Sequence, residues 1–195
     1  MSKRVKQIAI FASGSGSNAE SIVNYFKGHD SINVASIYTN RKQAGVLERA
    51  ARLGIQSTVF TKKSFIEEDV IIKDLQSKNI DLIVLAGFLL LVPEHFIEAF
   101  PSKIVNIHPS LLPKYGGKGM YGMNVHKAVS ESGDGETGIT VHLVNKEFDK
   151  GKIISQIRCV IQPNEDPEKI AAQVLKIEHK YYPLIIDQLL ENKYF

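Results

Sequence analysis

The chain has 195 residues, of which 44% are hydrophobic and 23% are charged, so it can bury a core without disulfides or metal ions. Its 24 basic and 21 acidic residues give a net charge of only +3, and their scatter excludes an electrostatic track for nucleic-acid phosphates. We therefore expect one domain, residues 1–195, that binds small molecules and has no nucleic-acid partner.

Short apolar runs alternate with segments of helical periodicity in the first half of the chain. The predicted strands are residues 8–12, 34–38, 58–60, 82–86 and 104–107, and the predicted helices are 20–26, 46–53, 65–76 and 94–100. Apolar strands that alternate with helices indicate a mostly parallel sheet covered on both faces. The sequence therefore predicts an α/β fold.

The pattern changes in the second half. Residues 114–122 contain four glycines and predict a mobile loop, after which a helix carries Val125 and Val129 on one face. Two further strands, residues 138–144 and 153–161, are joined by a short polar turn that suits an antiparallel pair. We therefore expect a mixed sheet.

The last predicted element is a long C-terminal helix. Asp166 is placed to act as its N-cap and Pro167 to be its first residue. Pro183 lies well inside the helical pattern and is expected to kink or split the helix.

The sequence has no features of an exported or membrane protein. Residues 1–7 pass from charge directly into a strand-like run, so no signal peptide is expected. Apolar runs such as 82–92 are far shorter than a membrane span. The single cysteine, Cys159, lies in an apolar run and is expected to be a buried free thiol. We expect a cytoplasmic protein with no membrane partner.

A segment of small and polar residues, 13–19, joins the first strand to the first helix. Glycines allow a tight turn there, and the amides at the helix start, with the positive end of the dipole, predict a site for a phosphate-bearing ligand. The spacing Gly-x-Gly-x-x-Ala also fits a dinucleotide site, but Arg41 stands near the place where NAD needs an acidic residue, so only NADP stays open. A third interpretation is a tight turn whose only role is to cap the helix through Ser17 or Asn18.

Asn106 and His108 lie two residues apart at the end of a predicted central strand, so their side chains share one face. Pro109 ends the strand and is expected to leave the imidazole presented to a ligand. An amide donor beside a histidine suits acyl transfer, because both can stabilise the oxygen that becomes negative. The alternative is a histidine whose only role is to cap the end of the strand through a hydrogen bond.

Together, six motifs resemble the phosphoribosylglycinamide formyltransferase family over nearly the whole chain. They are Gly14-Ser-Gly-Ser-Asn18, Leu85-Ala-Gly-Phe88, Asn106-Ile-His-Pro-Ser-Leu-Leu-Pro113, Gly138-Ile-Thr-Val-His142, Phe148-Asp-Lys-Gly151 and Glu178-His179-x-x-Tyr182-Pro183. The resemblance implies a three-layer α/β/α, Rossmann-like fold with a seven-stranded mixed sheet. It also implies formyl transfer from 10-formyltetrahydrofolate to the amine of 5-phosphoribosylglycinamide, a step of purine synthesis, with no metal ion.

The resemblance assigns roles by position. The implied catalytic residues are Asn106, His108 and Asp149, with Asp149 keeping His108 protonated. The residues implied to bind phosphoribosylglycinamide are Gly16, Ser17, Asn18, Ala19, Glu20 and Glu178. Those implied to receive the folate are Leu89, Leu90, Leu91, Val92 and Asn106, and Thr140 and His142 are implied to support the site. Glu68 stands where relatives can have a basic folate contact, which Lys62 or Lys63 could replace.

Other functions stay open at this point. The glycine spacing with Arg41 is compatible with an NADP-dependent reductase, and the same loop is compatible with a non-catalytic nucleotide-binding module. The Asn-x-His signature is also shared with the domain that formylates initiator methionyl-tRNA, which needs a basic RNA surface and a further domain. A hydrolase of the same folate is a fourth alternative. The sequence is compatible with a homodimer.

Overall fold

The computed structural model of the chain describes residues 4–191. Residues 1–3, which entered the prediction of no signal peptide, and residues 192–195, the end of the predicted domain, lie outside the described residues. The strands are β1 Lys6–Phe11, β2 Ile32–Thr39, β3 Ser57–Val59, β4 Ile80–Leu85, β5 Ile104–His108, β6 Glu136–Leu143 and β7 Ile153–Val160. The helices are α1 Ser17–Phe26, α2 Val46–Leu53, α3 Lys62–Glu67, α4 Val70–Ser77, α5 Glu94–Ala99, α6 Met123–Ser132 and α7 Pro167–Leu190.

The strands form one seven-stranded sheet in the order β3-β2-β1-β4-β5-β6-β7. The first five strands in this order pair in parallel, whereas β6 is antiparallel to both β5 and β7. The predicted α/β fold with a mostly parallel, mixed sheet is confirmed. Because β1, β4 and β5 are parallel neighbours, the loops that follow them leave the sheet at the same edge.

Two apolar clusters cover the two faces of the sheet. On one face, alternate strand residues form a cluster with residues of α1, α2, α6 and α7, which includes Ile10, Ile22 and Tyr182. On the other face, Phe11 and Tyr38 share a cluster with the aromatic Phe65 of α3 and Phe96 of α5 and with aliphatic residues of α4. The predicted three-layer α/β/α arrangement is therefore confirmed.

The helix predicted over residues 65–76 is wrong, because the structure has two short helices there. α3 begins early, where the Thr61 hydroxyl accepts from the Ser64 amide and the Ser64 hydroxyl accepts from the Thr61 amide. Glu68 then takes an extended conformation, with φ −131° and ψ 146°. Residues 67–69 are three consecutive acids, which a helix disfavours at its end and favours at its start, so the chain stops and restarts.

The C-terminal helix α7 runs unbroken from Pro167 to Leu190, so the prediction that Pro183 splits it is wrong. Its predicted start is confirmed, because the Asp166 side chain accepts from the Glu168 amide at 2.7 Å. Pro183 has no N–H to give to the carbonyl of His179, one helical turn earlier. The Ser21 hydroxyl of α1 donates to that carbonyl at 2.7 Å, which satisfies the acceptor that proline leaves free.

Strand β7 forms one edge of the sheet, and each of its residues is exposed or half-buried. Cys159 is therefore half-buried and free, and not the fully buried thiol expected from the apolar run. None of the helices within residues 4–191 is both long enough and apolar enough to cross a membrane.

The Ser21 contact to α7 predicts a coupling between two distant residues. Ser21→Ala leaves a carbonyl without its donor, so we expect the free energy of unfolding to fall by about 1–2 kcal/mol in urea titration. In a Pro183→Ala background the new amide can donate to His179, so the same serine change should cost clearly less. If Ser21→Ala lowered the free energy of unfolding equally in the two backgrounds, the hydroxyl would not be the donor to this carbonyl.

Candidate active site

The antiparallel pairing of β5 and β6 places four polar side chains together. Asn106 lies opposite His142, and His108 lies opposite Thr140. Because alternate residues of a strand share a face, all four project toward the same side of the sheet. His108, Thr140 and His142 are 3%, 0% and 2% exposed, so their polar atoms need partners within the protein.

Asp149 reaches this group from the turn between β6 and β7. Its Oδ2 lies 3.4 Å from His108 Nδ1, and its Oδ1 lies 3.6 Å from His142 Nε2 and 3.5 Å from Asn106 Nδ2. The turn requires Gly151, since a Cβ atom there would lie 1.6 Å from the Leu143 carbonyl oxygen. The structure therefore brings the predicted residues 106, 108 and 149 into one cluster, together with His142.

The hydrogen bonds fix the orientation of the Asn106 amide. The Leu143 carbonyl lies 2.8 Å from His142 Nδ1, so this nitrogen carries the hydrogen and Nε2 is left as an acceptor. Asn106 Nδ2 lies 3.1 Å from that Nε2 and donates to it. The second amide hydrogen of Asn106 points toward Asp149, over the longer distance given above. The Asn106 NH₂ group, not its oxygen, thus faces the cluster.

His108 is more enclosed than the sequence suggested. Its Nε2 lies 2.7 Å from the carbonyl oxygen of Tyr115, in the glycine-rich loop that follows β5. The imidazole was expected to be presented to a ligand, but this loop covers it. Burial lowers the pKa of His108 below its usual value, although the Asp149 charge and the Tyr115 carbonyl oppose the shift.

The same loop also contacts Asp149. The Gly117 amide donates to Asp149 Oδ2 at 2.9 Å. Burial alone would raise the pKa of Asp149, but interaction with His142, the charge of His108 and the Gly117 amide together bring it below its usual value. Sequence reasoning missed Tyr115 and Gly117, and the only signal was the run of glycines directly after the Leu-Leu-Pro motif.

Thr140 stabilises the turn that leads into this loop. It is completely buried, and its hydroxyl donates to the Ser110 carbonyl at 2.7 Å. The same oxygen accepts from the Leu112 amide at 3.0 Å and from Gln156 Nε2 at 2.9 Å. Thr140 therefore orders the segment after His108 and does not touch the Asp149 cluster through these bonds.

The glycine loop after β1 forms the start of α1. Gly16 is the N-cap, with a left-handed φ of 79°, and no side chain caps the helix, so the interpretation of Ser17 or Asn18 as a cap is wrong. A Cβ atom at Gly16 would lie 2.4 Å from a methyl carbon of Val46, at the start of α2. The close approach of these two helix starts leaves amide groups and positive dipole ends facing one region.

A cavity of ≈ 530 Å³ opens beside this region. It is lined by Ser13, Gly14, Arg41, Lys42, Gln43, Ala44 and Gly45. Two basic side chains and a glycine backbone suit an anionic ligand. Lys42, Gln43 and Gly45 were missed from the sequence, although they follow β2, whose carboxyl end is adjacent to that of β1.

The predicted residues of α1 have different surroundings. Glu20 forms salt bridges with Arg49 and Arg52 of α2, so its carboxylate is already paired. Asn18 Nδ2 donates to Glu178 Oε2 of α7 at 2.7 Å, which joins two predicted residues that are distant in sequence. Glu178 is only 8% exposed. Burial raises its pKa to about 7, and the bond from Asn18 opposes the shift only in part.

Residues 89–92 follow β4, whose Leu85 pairs with Asn106. Leu89 and Leu91 are exposed, whereas Val92 is buried in the aromatic cluster. The Leu89 amide donates to the Ser13 hydroxyl at 3.0 Å, so that backbone group is already used. Glu68, at the position where relatives can have a basic folate contact, is exposed at the end of α3. Lys62 and Lys63, which could replace that contact, are exposed at the start of the same helix. Within residues 4–191, no group of three or more His, Cys, Asp or Glu side chains is arranged to hold a metal ion.

Comparison with known proteins identifies a common family. The sequence model of the formyl transferase family matches residues 6–186. The chain is 40% identical to phosphoribosylglycinamide formyltransferase, chloroplastic, of Arabidopsis thaliana, over 97% of this chain and 67% of that protein. It is 39% identical to phosphoribosylglycinamide formyltransferase of Haemophilus influenzae, over 97% of this chain and 89% of that protein.

Solved structures show the same relationship. The crystal structure of glycinamide ribonucleotide transformylase 1 from Geobacillus kaustophilus superimposes with a TM-score of 0.87 at 37% sequence identity. The match covers 96% of this chain and 100% of that chain. At this identity and coverage, the likeness extends to the sequence as well as the fold.

The buried Glu178 predicts a pH-dependent stability. Because its folded pKa lies above that of an unfolded glutamate, folding is penalised increasingly as pH rises from about 4.5 through about 7. Glu178→Gln, which resembles the protonated acid, should raise the free energy of unfolding at pH 8 by up to about 3 kcal/mol. At pH 4, below both pKa values, the variant should match the parent in urea titration.

The control for this prediction is Glu131→Gln, at an exposed position of α6. We expect no comparable gain from it at either pH. A Glu178→Gln protein that is no more stable at pH 8 would show that the buried carboxyl is not penalised.

Proposed function

The chain belongs to the formyl transferase family, and we propose that it transfers the formyl group of 10-formyltetrahydrofolate to the amine of 5-phosphoribosylglycinamide, in purine biosynthesis. The names of its relatives support phosphoribosylglycinamide as the acceptor, and membership of the family supports a folate as the formyl donor. We further propose that residues 1–195 form a single catalytic domain and that the reaction uses no metal ion.

The observation that carries this proposal is the cluster of Asn106, His108 and Asp149 at the sheet edge. Asp149 lies within 3.5 Å of both other side chains. An amide NH₂ and an imidazole next to a carboxylate form a set of donors for an oxygen that gains negative charge. None of the three needs to act as a nucleophile, because the acceptor amine has its own lone pair.

In the proposed reaction, the lone pair of the neutral amine forms a bond to the formyl carbon, and the carbonyl electron pair moves to oxygen. Asn106 Nδ2 and protonated His108 stabilise this oxygen. Asn106 Nδ2 makes two hydrogen bonds, and the bond to Asp149 is longer than the bond to His142. The hydrogen directed at Asp149 is therefore the one that can be donated to the substrate oxygen. Collapse breaks the bond from carbon to the folate nitrogen, which takes up a proton while the amine loses one.

Asp149 acts on this step through His108. Burial disfavours the charged imidazole, and Asp149 opposes this by placing a negative charge beside Nδ1. Asp149 therefore raises the pKa of His108 above the value that burial alone would give, although the net pKa stays below its usual value. This supports the role of Asp149 in holding His108 protonated.

The two substrates have separate supporting features. The start of α1, residues 16–20, together with the cavity that Arg41 and Lys42 line, suits the phosphate and ribose of phosphoribosylglycinamide. Glu178 and Asn18 supply polar groups for the glycinamide end. Residues 89–92, with Asn106 on the next strand, supply a largely apolar wall for the folate ring.

An assay of acceptor choice tests the proposal. With 10-formyltetrahydrofolate as donor, we expect purified protein to formylate phosphoribosylglycinamide and not methionyl-tRNA, followed by release of tetrahydrofolate. The near-neutral charge offers little attraction to tRNA phosphates. Turnover of methionyl-tRNA, or no turnover of phosphoribosylglycinamide by folded protein, would reject the proposed acceptor.

Loss of the amide donor should affect the rate of the chemical step. Asn106→Ala removes one donor to the oxyanion, so we expect kcat to fall by about 100-fold to 1,000-fold. The exposed Asn124→Ala on α6 serves as the control and should leave kcat unchanged. An unaltered kcat in Asn106→Ala would exclude this residue from oxyanion stabilisation.

A further inference from the structure

The imidazole of His108 is held between two groups that can only accept hydrogen bonds. Nδ1 faces the Asp149 carboxylate at 3.4 Å, and Nε2 lies 2.7 Å from the Tyr115 carbonyl oxygen. A neutral imidazole has a hydrogen on only one of its nitrogens, so it would place a lone pair against one of these oxygens. Only the doubly protonated ring donates to both.

The position of the Tyr115 carbonyl is fixed by the tyrosine side chain. The hydroxyl of Tyr115 donates to Asp134 Oδ2 at 2.7 Å, and Ser132 Oγ lies at the same distance from it. Asp134 also pairs with Lys114 at 3.0 Å. Ser132 is the last residue of α6, and Asp134 lies in the connection from α6 to β6, so the side chain ties the start of the loop to the end of that helix and the connection after it.

The backbone of Tyr115 is itself in an uncommon conformation. Its φ is 55°, a left-handed value that a bulky residue adopts only when its surroundings impose it. This conformation is accompanied by two contacts on one small site, from the Tyr115 carbonyl to His108 and from the Gly117 amide to Asp149. Gly116 lies between them, and a Cβ there would lie 2.4 Å from a methyl carbon of Leu112.

We propose that Tyr115 is a positioning residue for His108: its hydroxyl, bound to Asp134, holds its backbone carbonyl against Nε2 and so favours the doubly protonated imidazole, whose Nε2 hydrogen passes from this carbonyl to the substrate oxygen when substrate binds. The kinetic part of this inference rests on the proposed formyl transfer. The part that concerns the protonation of His108 does not, because it can be measured without substrates.

Other charged or titratable groups also act on His108. Asp149 of the β6–β7 turn favours the protonated ring, and His142 of β6 disfavours it. His126 of α6 interacts with His108, and its own pKa is lowered to about 4 by burial and by that interaction. The carbonyl of Tyr115 favours the protonated ring alongside Asp149. Loss of this contact should therefore shift the His108 titration to lower pH.

The test is a titration of His108 by nitrogen-15 NMR in the full chain without ligands. Tyr115→Phe removes the hydroxyl, and we expect the pKa of His108 to fall by about half a unit to one unit. Asp134→Ala should reproduce this fall, and it also provides the answer if Tyr115→Phe does not fold. Asp134→Asn keeps an acceptor for the tyrosine hydroxyl and should restore the parent titration.

The matched control is Tyr121→Phe, a tyrosine of the same loop that is 54% exposed. It should leave the titration unchanged. An unchanged His108 pKa in both Tyr115→Phe and Asp134→Ala, or an equal shift in Tyr121→Phe, would overturn the proposal.

Kinetics then separate this proposal from the proposed function. With phosphoribosylglycinamide and 10-formyltetrahydrofolate, Tyr115→Phe should lower kcat at neutral pH about tenfold and change both KM values little, since general acid catalysis depends on the protonated fraction. A KM increase at unchanged kcat would assign Tyr115 to binding and reject the positioning role. If the parent protein shows no turnover, the proposed function fails while the NMR result still decides the role of Tyr115.

Discussion

The antiparallel pairing of β6 with β5 is the constraint on which the candidate site depends. In a wholly parallel sheet, the next strand after β5 would run in the same direction and end at the same edge. Instead, β6 runs back along β5, and its register sets His142 opposite Asn106 and Thr140 opposite His108. The following turn then brings Asp149 over both strands. A slip of one residue in this register would turn the β6 side chains to the other face and dismantle the site.

Within the site, burial and charge oppose each other. Desolvation disfavours the charged forms of both His108 and Asp149, while each charge stabilises the other. Backbone groups of the loop after β5 contribute to the balance, since the Tyr115 carbonyl accepts a hydrogen bond from His108 and the Gly117 amide donates one to the Asp149 carboxylate. These groups lie in a segment that also covers the imidazole, so access to His108 and its protonation depend on the same loop.

The region for the proposed phosphate ligand follows a different principle. Here the starts of α1 and α2 approach each other, because Gly16 leaves no Cβ between the glycine loop and Val46. Arg49 further binds the loop, donating to the Ser15 carbonyl at 2.8 Å. The amides and the basic side chains of the β2–α2 loop then form a cavity without any metal ligand set among residues 4–191. Fixed dipoles at this edge supply positive potential that does not depend on pH.

The sequence by itself determined the α/β class, the mixed sheet, the N-cap at Asp166 and the family, because apolar periodicity, cap residues and motifs are local signals. It also predicted Asn106 and His108 as neighbours, since alternate strand residues share a face. It failed at Glu68, where three acids end a helix, and at Pro183, where Ser21 of another helix satisfies the freed carbonyl. The family resemblance implied that Asp149 acts on His108, but only the tertiary structure decided that His142 joins them and that Tyr115 covers the imidazole. Contacts between distant segments depend on strand register and loop path, which no local pattern encodes.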